Sequence, residues 1–337
     1  MINLNKNDLV YPPSLLDILR RQKYHIVGRH SSVKKCKWLH DSLVYNRVCY
    51  KQKFYGIKSH RCLQMTPAVL SCLTHCIYCW RVMPEDVGIK WNETFGSEWD
   101  EPEEIVEGCL REQRRILTGY KDQVIKGRVS KEKYEEALNP NMVAISLSGE
   151  PTLYPKLGEM INLFKERSFT VFLVTSGVLP EALKRLDSEP SQLYLSLTAP
   201  DYDTYQKVNR PISPRLWDSL VKSLELTKSF KCPVAMRITA IKGINMEDPK
   251  NFSRLINMSD CTYVEIKAYM HLGYSLHRLT RSNMPSFEEI ERFGSQISEL
   301  TGYKMIGSSE ESRVVLLSKL EKPIIFDLHE ASIPKNS

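Results

Sequence analysis

Five short runs in the second half of the chain are apolar or β-branched at nearly every position: MVAISLSG (142–149), TVFLVTSG (170–177), QLYLSLTAP (192–200), PVAMRITAIKG (233–243) and TYVEIKAYM (262–270). Runs of that length without strict alternation predict strands buried on both faces. Between them, apolar positions recur at helical spacing in PKLGEMINLFKER (155–167), LPEALKRL (179–186), SPRLWDSLVKSLELTKSF (213–230) and PKNFSRLINM (249–258). Strand followed by helix, repeated, requires parallel strands joined by right-handed crossovers. HRCLQMTPAV (60–69) adds a strand in front and makes six. The expected fold class is therefore α/β, a partial (β/α)6 TIM-like barrel. RVVLLSKL (313–320) predicts an extra strand or edge piece, and residues 81–141, including EPEEIVEGCLREQRRILTGY, a long helical insertion. The domain reading is a basic extension over 1–60 and a core barrel over 61–337.

Composition sharpens this little. The 337 residues are 42% hydrophobic and 26% charged, an ordinary globular balance. No stretch approaches the roughly 20 apolar residues of a membrane span and the start has no leader pattern, so a cytoplasmic protein without a membrane partner is expected. In that compartment nine cysteines suit metal binding, catalysis or burial better than a disulfide framework. Charge changes the picture more. Residues 1–61 carry 13 Lys and Arg against 3 Asp, net +10, so the rest of a +7 chain sums to −3. A basic N-terminal sixth points to a polyanion, most simply nucleic acid, and the aromatic residues interleaved in KCKWLHDSLVYNRVCYKQKFYG suit stacking on unpaired bases. Lys34, Lys35, Lys37, Lys53 and Arg61 are the candidate RNA contacts. A solvated basic face is the plainer reading of the same run.

Ligands of such folds gather where the strands end and the βα loops converge. SCLTHCIYCW (71–80) follows the first strand and places Cys72, Cys76 and Cys79 on that rim. A structural zinc site closes with four ligands, and no fourth Cys or His stands at a matching spacing. Three thiolates on a 4Fe-4S cluster instead leave one iron open for a reactant. The spacing resembles the CxxxCxxC motif of radical S-adenosylmethionine (SAM) enzymes, with Tyr78 as the aromatic residue before the last cysteine. That resemblance implies a radical SAM barrel whose open iron chelates SAM. SGEPT (148–152) looks like the family's segment that meets the SAM ammonium, through Gly149, Glu150, Pro151 and Thr152; a plain turn is the alternative. By position along the barrel, Thr175, Ser176, Ser196, Arg237 and Glu265 join the SAM-binding candidates.

Upstream, Cys36, Cys49 and Cys62 are spaced 13 and 13 apart. They fit either a second iron-sulfur cluster or three unrelated small core residues. Residues 27–82, with SLSGEPTLYP, YLSLTAPD, VNRP and VEIKAYMHLGYS, closely resemble the archaeal-type tRNA 4-demethylwyosine synthases of wybutosine biosynthesis. The resemblance implies a carbon–carbon lyase that condenses N1-methylguanosine at position 37 of tRNA-Phe with pyruvate. A 5′-deoxyadenosyl radical would take hydrogen from the N1-methyl group. Two 4Fe-4S clusters are implied, one on Cys72, Cys76 and Cys79 and one on Cys36, Cys49 and Cys62. Lys51, two residues past the middle cysteine of the second set, is the implied catalytic residue that engages pyruvate. The eukaryotic relatives' flavodoxin-like domain is lacking, so a separate flavodoxin- or ferredoxin-type donor is expected, and the chain is expected to act as a monomer. Another radical SAM tRNA-modifying enzyme (a methylthio- or methyltransferase) and a zinc-dependent RNA-binding module are the competing classes.

Overall fold

The computed structural model describes residues 13–89 and 98–326; the first twelve residues of the basic extension, residues 90–97 of the predicted insertion and the last eleven residues lie outside it. The six predicted strands form β3 (Cys62–Thr66), β4 (Met142–Ile145), β5 (Thr170–Thr175), β6 (Gln192–Ser196), β7 (Val234–Ala240) and β8 (Tyr263–Ala268), all parallel and in sequential order. Antiparallel strands extend both sides: β1 (His25–Val27) and β2 (Ser31–Val33) before β3, and β10 (Val314–Ser318) then β9 (Lys304–Ser309) after β8. The predicted edge strand is thus β10, paired to β8, while β1, β2 and β9 are additional. Within the basic segment, β1 and β2 pair into the sheet.

Period-2 alternation sends the two faces of each strand to different cores. Leu63, Val143, Val171, Leu193, Met236 and Val264 lie under the crossover helices. Cys62, Ala144, Phe172, Tyr194, Ala235 and Tyr263 face the barrel interior, together with Tyr50, Phe54 and Tyr55. Those last three belong to the helix Tyr50–Tyr55, which enters the barrel and packs Tyr55 against Phe172 and Tyr263 at ring centroid distances of 6.1 and 5.6 Å. The insertion forms helices Pro102–Leu117, Lys121–Ile125 and Lys131–Leu138. Among the described residues, no helix is long and apolar enough to cross a membrane.

Candidate active site

The loop after β3 carries the first cysteine set, and neighbouring elements hold it on all sides. Ser71 O accepts from the Glu150 N–H at 2.7 Å, and the N–H groups of His75 and Ile77 donate to Asn209 O and Val208 O at 2.8 and 2.9 Å. Gly149 lies at φ +67, and a Cβ there would stand 1.7 Å from Ala68 O and 2.6 Å from Ser71 O, so only glycine permits this close approach. On the far side, Arg278 donates to Cys79 O at 2.5 Å and Ile77 O at 3.3 Å and pairs with Asp86 at 2.6 Å. Gly273, at φ +62, lets the following segment pass where a Cβ would meet Trp80 O at 2.1 Å.

Cys72 and Cys76 Sγ both lie against Thr74 Oγ1, at 3.6 and 3.5 Å, and Asn209 Nδ2 donates to Cys76 Sγ at 3.6 Å. Burial, then the nearby Glu150 carboxylate, pushes the Cys72 thiol up to about 12. Burial raises Cys76 as well. Tyr78 is pushed well above the usual phenol range by burial and by Cys76, which its hydroxyl meets beside Thr198. Thiols so strongly disfavoured as anions ionise when a metal supplies the counter-charge. Three sulfurs without a fourth ligand fit a cluster with an open iron. Among the described residues, no three His, Cys, Asp or Glu side chains converge as a single metal ion requires. A cubane, whose thiolates bind different irons, needs no such convergence.

Glu150 sits at the centre of the rim and is buried. Its Oε1 accepts from Thr152 N–H (3.1 Å), Thr152 Oγ1 (2.6 Å) and Thr175 Oγ1 (2.6 Å), and its Oε2 from the Ser176 N–H (2.8 Å) and hydroxyl (2.5 Å). Five protein donors meet this carboxylate, through which it organises Thr152, Thr175 and Ser176. Pro151 begins the short turn between these donors. Ser196 ends β6 in register with Arg237.

The second cysteine set lies at the other end of β3. Cys36 precedes the helix Lys37–Val44, and Cys49 precedes the helix Tyr50–Tyr55, where its Sγ accepts from the Lys51 N–H at 3.4 Å; Cys62 begins β3. The three lie within electrostatic reach of one another: burial and then Cys36 push Cys49 up to about 11 and raise Cys62 further. Burial also raises Cys36. These donors match the first set in number, three thiols, with backbone N–H groups beside Cys36 and Cys49.

Lys51 projects into the barrel interior and is 8% exposed. Its Nζ stands 4.2 Å from the Phe172 ring centroid and 4.3 Å from that of Tyr194. Burial, then the Arg237 guanidinium, pulls the amine down to about 8. Arg237 and Glu265, expected on the SAM rim, lie mid-strand and in register with each other. They form a buried ion pair, and Arg237 also donates to Tyr50 Oη at 2.6 Å. Both therefore belong to the Lys51 chamber. Tyr50, Tyr194, Phe172 and Lys267, not among the expected site residues, complete it; for the three strand residues, alternation onto the interior face was the available signal, and Tyr50 comes from the helix that enters the barrel.

The basic candidates divide. Lys37 pairs with Asp41, Lys53 with Glu311 at 3.7 Å, and Arg61 donates to Asn139 O at 3.0 Å. Lys35 is exposed, with Nζ 5.1 Å from the Tyr120 ring centroid. Lys34 lies between Tyr24 and Trp80, at 4.5 and 5.0 Å from their centroids. Arg81 caps the same Trp80 ring at 4.7 Å.

Two family models match successive parts of the chain. The radical SAM superfamily model matches residues 69–256, and the model for wyosine base formation matches 258–319, which includes Gly273 and Arg278. A SAM-dependent tRNA 4-demethylwyosine synthase of Pyrococcus horikoshii is 46% identical over 91% of this chain and 89% of its own length. The corresponding protein of Methanocaldococcus jannaschii is 41% identical over 93% and 98%. A relative from Xenopus laevis is 32% identical over 91% of this chain but 41% of its own length. A solved structure of TYW1 with a lysine-pyruvate adduct bound superposes with a TM-score of 0.84, at 38% identity, over 94% of this chain and 100% of that one. A crystal structure of archaeal TYW1 gives 0.75 at 36% identity over 91% and 96%.

Proposed function

This chain belongs to the tRNA 4-demethylwyosine synthase family of radical SAM enzymes, and on that premise we propose that it condenses N1-methylguanosine at position 37 of tRNA-Phe with pyruvate to form 4-demethylwyosine. The observation that carries the reading is Lys51: a buried amine drawn down to about 8 by burial and Arg237, beside a second three-cysteine set, in a chain similar to one whose structure holds a lysine-pyruvate adduct. Cys72, Cys76 and Cys79 would hold the SAM-binding 4Fe-4S cluster, and Cys36, Cys49 and Cys62 a second one. When bound, cluster and SAM supply the radical that activates the N1-methyl group.

The chain's own residues do the rest. Lys51 Nζ, when unprotonated, attacks the ketone carbon of pyruvate; a C–N bond forms and the ketone oxygen leaves as water. Phe172 and Tyr194 keep bulk water from that amine. The guanine must leave its stack to reach a barrel interior, and Lys34, Lys35, Trp80 and Arg81 offer cations and a ring beside the first cysteine loop for the anticodon loop. A separate flavodoxin- or ferredoxin-type protein supplies the electron, and the chain works as a cytoplasmic monomer.

The test is anaerobic incubation of the reconstituted protein with SAM, dithionite, carbon-labelled pyruvate and tRNA-Phe bearing N1-methylguanosine, followed by digestion and mass spectrometry. A labelled tricyclic nucleoside is expected. SAM cleavage without label in the RNA would overturn the wyosine assignment in favour of another radical SAM tRNA modification.

A further inference from the structure

Three cations share the barrel interior, linked by two rings. Lys51 Nζ and the Arg237 guanidinium carbon lie 4.3 and 5.0 Å from the Tyr194 centroid. Arg237 and Lys267 Nζ in turn lie 5.7 and 5.0 Å from the Tyr50 centroid. Against them stands the fully buried Glu265, already paired with Arg237. The cysteines of the second set are the other neighbours, and burial disfavours their ionisation. Glu265 is taken up by Arg237, which leaves Lys267 as the excess cation, without an ion pair among the described residues, whether or not Lys51 is charged. Crowding shows in Lys267, whose amine is pulled down to about 8 by burial and then by Arg237. A buried excess cation is costly unless a further anion joins it.

We propose that Arg237 and Lys267 hold the carboxylate of the 2-oxo acid whose ketone meets Lys51. The proposal rests on the pyruvate reading above. Donors remain for the task. Arg237 Nε is buried and lacks a hydrogen-bond partner among the described residues. Lys267 uses one N–H on Ser312 O at 2.8 Å and keeps two. A carboxylate accepts only, so these groups complement it, whereas a neutral ketone would leave the excess charge uncompensated.

Calorimetric titration of pyruvate into the cluster-reconstituted full chain tests the pair, using Lys51→Ala so that no covalent adduct contributes. Adding Lys267→Met should weaken pyruvate binding about ten- to a hundredfold. Losing Arg237 alone would strand Glu265 and threaten folding, so its arm is the double substitution Arg237→Gln with Glu265→Gln, with the same expectation. Pyruvamide, the uncharged amide, should bind Lys51→Ala weakly and be indifferent to Lys267→Met. Unchanged pyruvate affinity in both arms, or pyruvamide binding as well as pyruvate, overturns the proposal. If Lys51→Ala binds too weakly to read, the pyruvate concentration giving half-maximal borohydride trapping, with Lys51 intact, makes the same comparison. Trapping also separates the premise: an equimolar adduct on Lys51 is expected, and its absence from the otherwise intact enzyme sinks the Lys51 reading while calorimetry still judges the carboxylate pair.

Discussion

At the scale of single residues, the rim depends on a carboxylate that donors already surround. Glu150 accepts from five donors on three residues. Glu150→Gln turns one acceptor oxygen into an amide that faces N–H and O–H groups, leaving buried donors unmet at about 1–3 kcal/mol. Lower thermal stability is expected, together with SAM affinity at least about tenfold weaker by equilibrium dialysis; unchanged affinity would show that the rim tolerates the loss. The acid in SGEPT was legible from sequence, but its partners were not, because Thr175 and Ser176 lie 25 and 26 residues away and only strand register brings them in. The pairing of Arg237 with Glu265 was hidden for the same reason, since the register of β7 against β8 sets them side by side. In the interior both lysines are drawn down to about 8, so the Lys51→Ala background is what isolates the second. Lys267, drawn down from 10.5 to about 8, carries its charge below that value and loses it above. Pyruvate binding to Lys51→Ala should therefore weaken as pH rises through about 8, and a flat profile in calorimetry would contradict a charged Lys267 at the carboxylate.

At the scale of elements, the cysteine loop is shaped less by its own sequence than by what clamps it. Arg278, from the segment after β8, binds two of the loop's carbonyls and Asp86 while 9% exposed at its side chain. Arg278→Met keeps the packing volume and removes all three bonds, so iron content after reconstitution should fall by about half, the first cluster being lost. Full iron content would mean that the cysteines alone hold the loop. The helix Lys131–Leu138 has a comparable role at the second set. Its Glu136 bonds to Lys58 and to His60 Nε2, and these hydrogen bonds outweigh burial and hold the carboxyl at about 2 rather than 4.5. That stabilisation is present above about pH 4.5 and lost as pH falls toward 2. Glu136→Gln should cost about 1–2 kcal/mol at neutral pH and flatten the acid limb of a denaturation profile. The six parallel strands were legible because burial on both faces leaves short runs that are mostly apolar or β-branched, even where β7 and β8 carry Arg237, Glu265 and Lys267. β1 and β2 have three residues each, and β9 reads KMIGSS with an exposed, polar pattern. Their pairing comes from the neighbouring strand rather than from their own composition.

At the scale of the whole molecule, charge and the placing of the two cysteine sets decide what the parts do together. Lys35 is exposed and has no ion pair among the described residues, whereas Lys37 and Lys53 have acidic partners. If Lys35 meets a phosphate of the anticodon stem-loop, Lys35→Ala should lower the slope of log affinity against log salt by about 1, and Lys53→Ala by less. The cysteine sets flank β3, whose five residues separate their ends by about 13 Å. Among the described residues, the contacts named for each set are separate: one hangs on Asn209, Glu150 and Arg278, the other on two helix starts and Cys62. Two sites built so separately should fill separately. Replacing Cys72, Cys76 and Cys79 by Ala should leave about four iron per chain and preserve borohydride trapping of pyruvate on Lys51 while abolishing SAM cleavage. Replacing Cys36, Cys49 and Cys62 should also leave about four iron, preserve SAM cleavage and abolish incorporation of pyruvate carbon into RNA. Loss of all iron from either triple variant would show one interdependent centre. Full retention of iron by the second variant would return Cys36, Cys49 and Cys62 to the packing role that their burial equally permits.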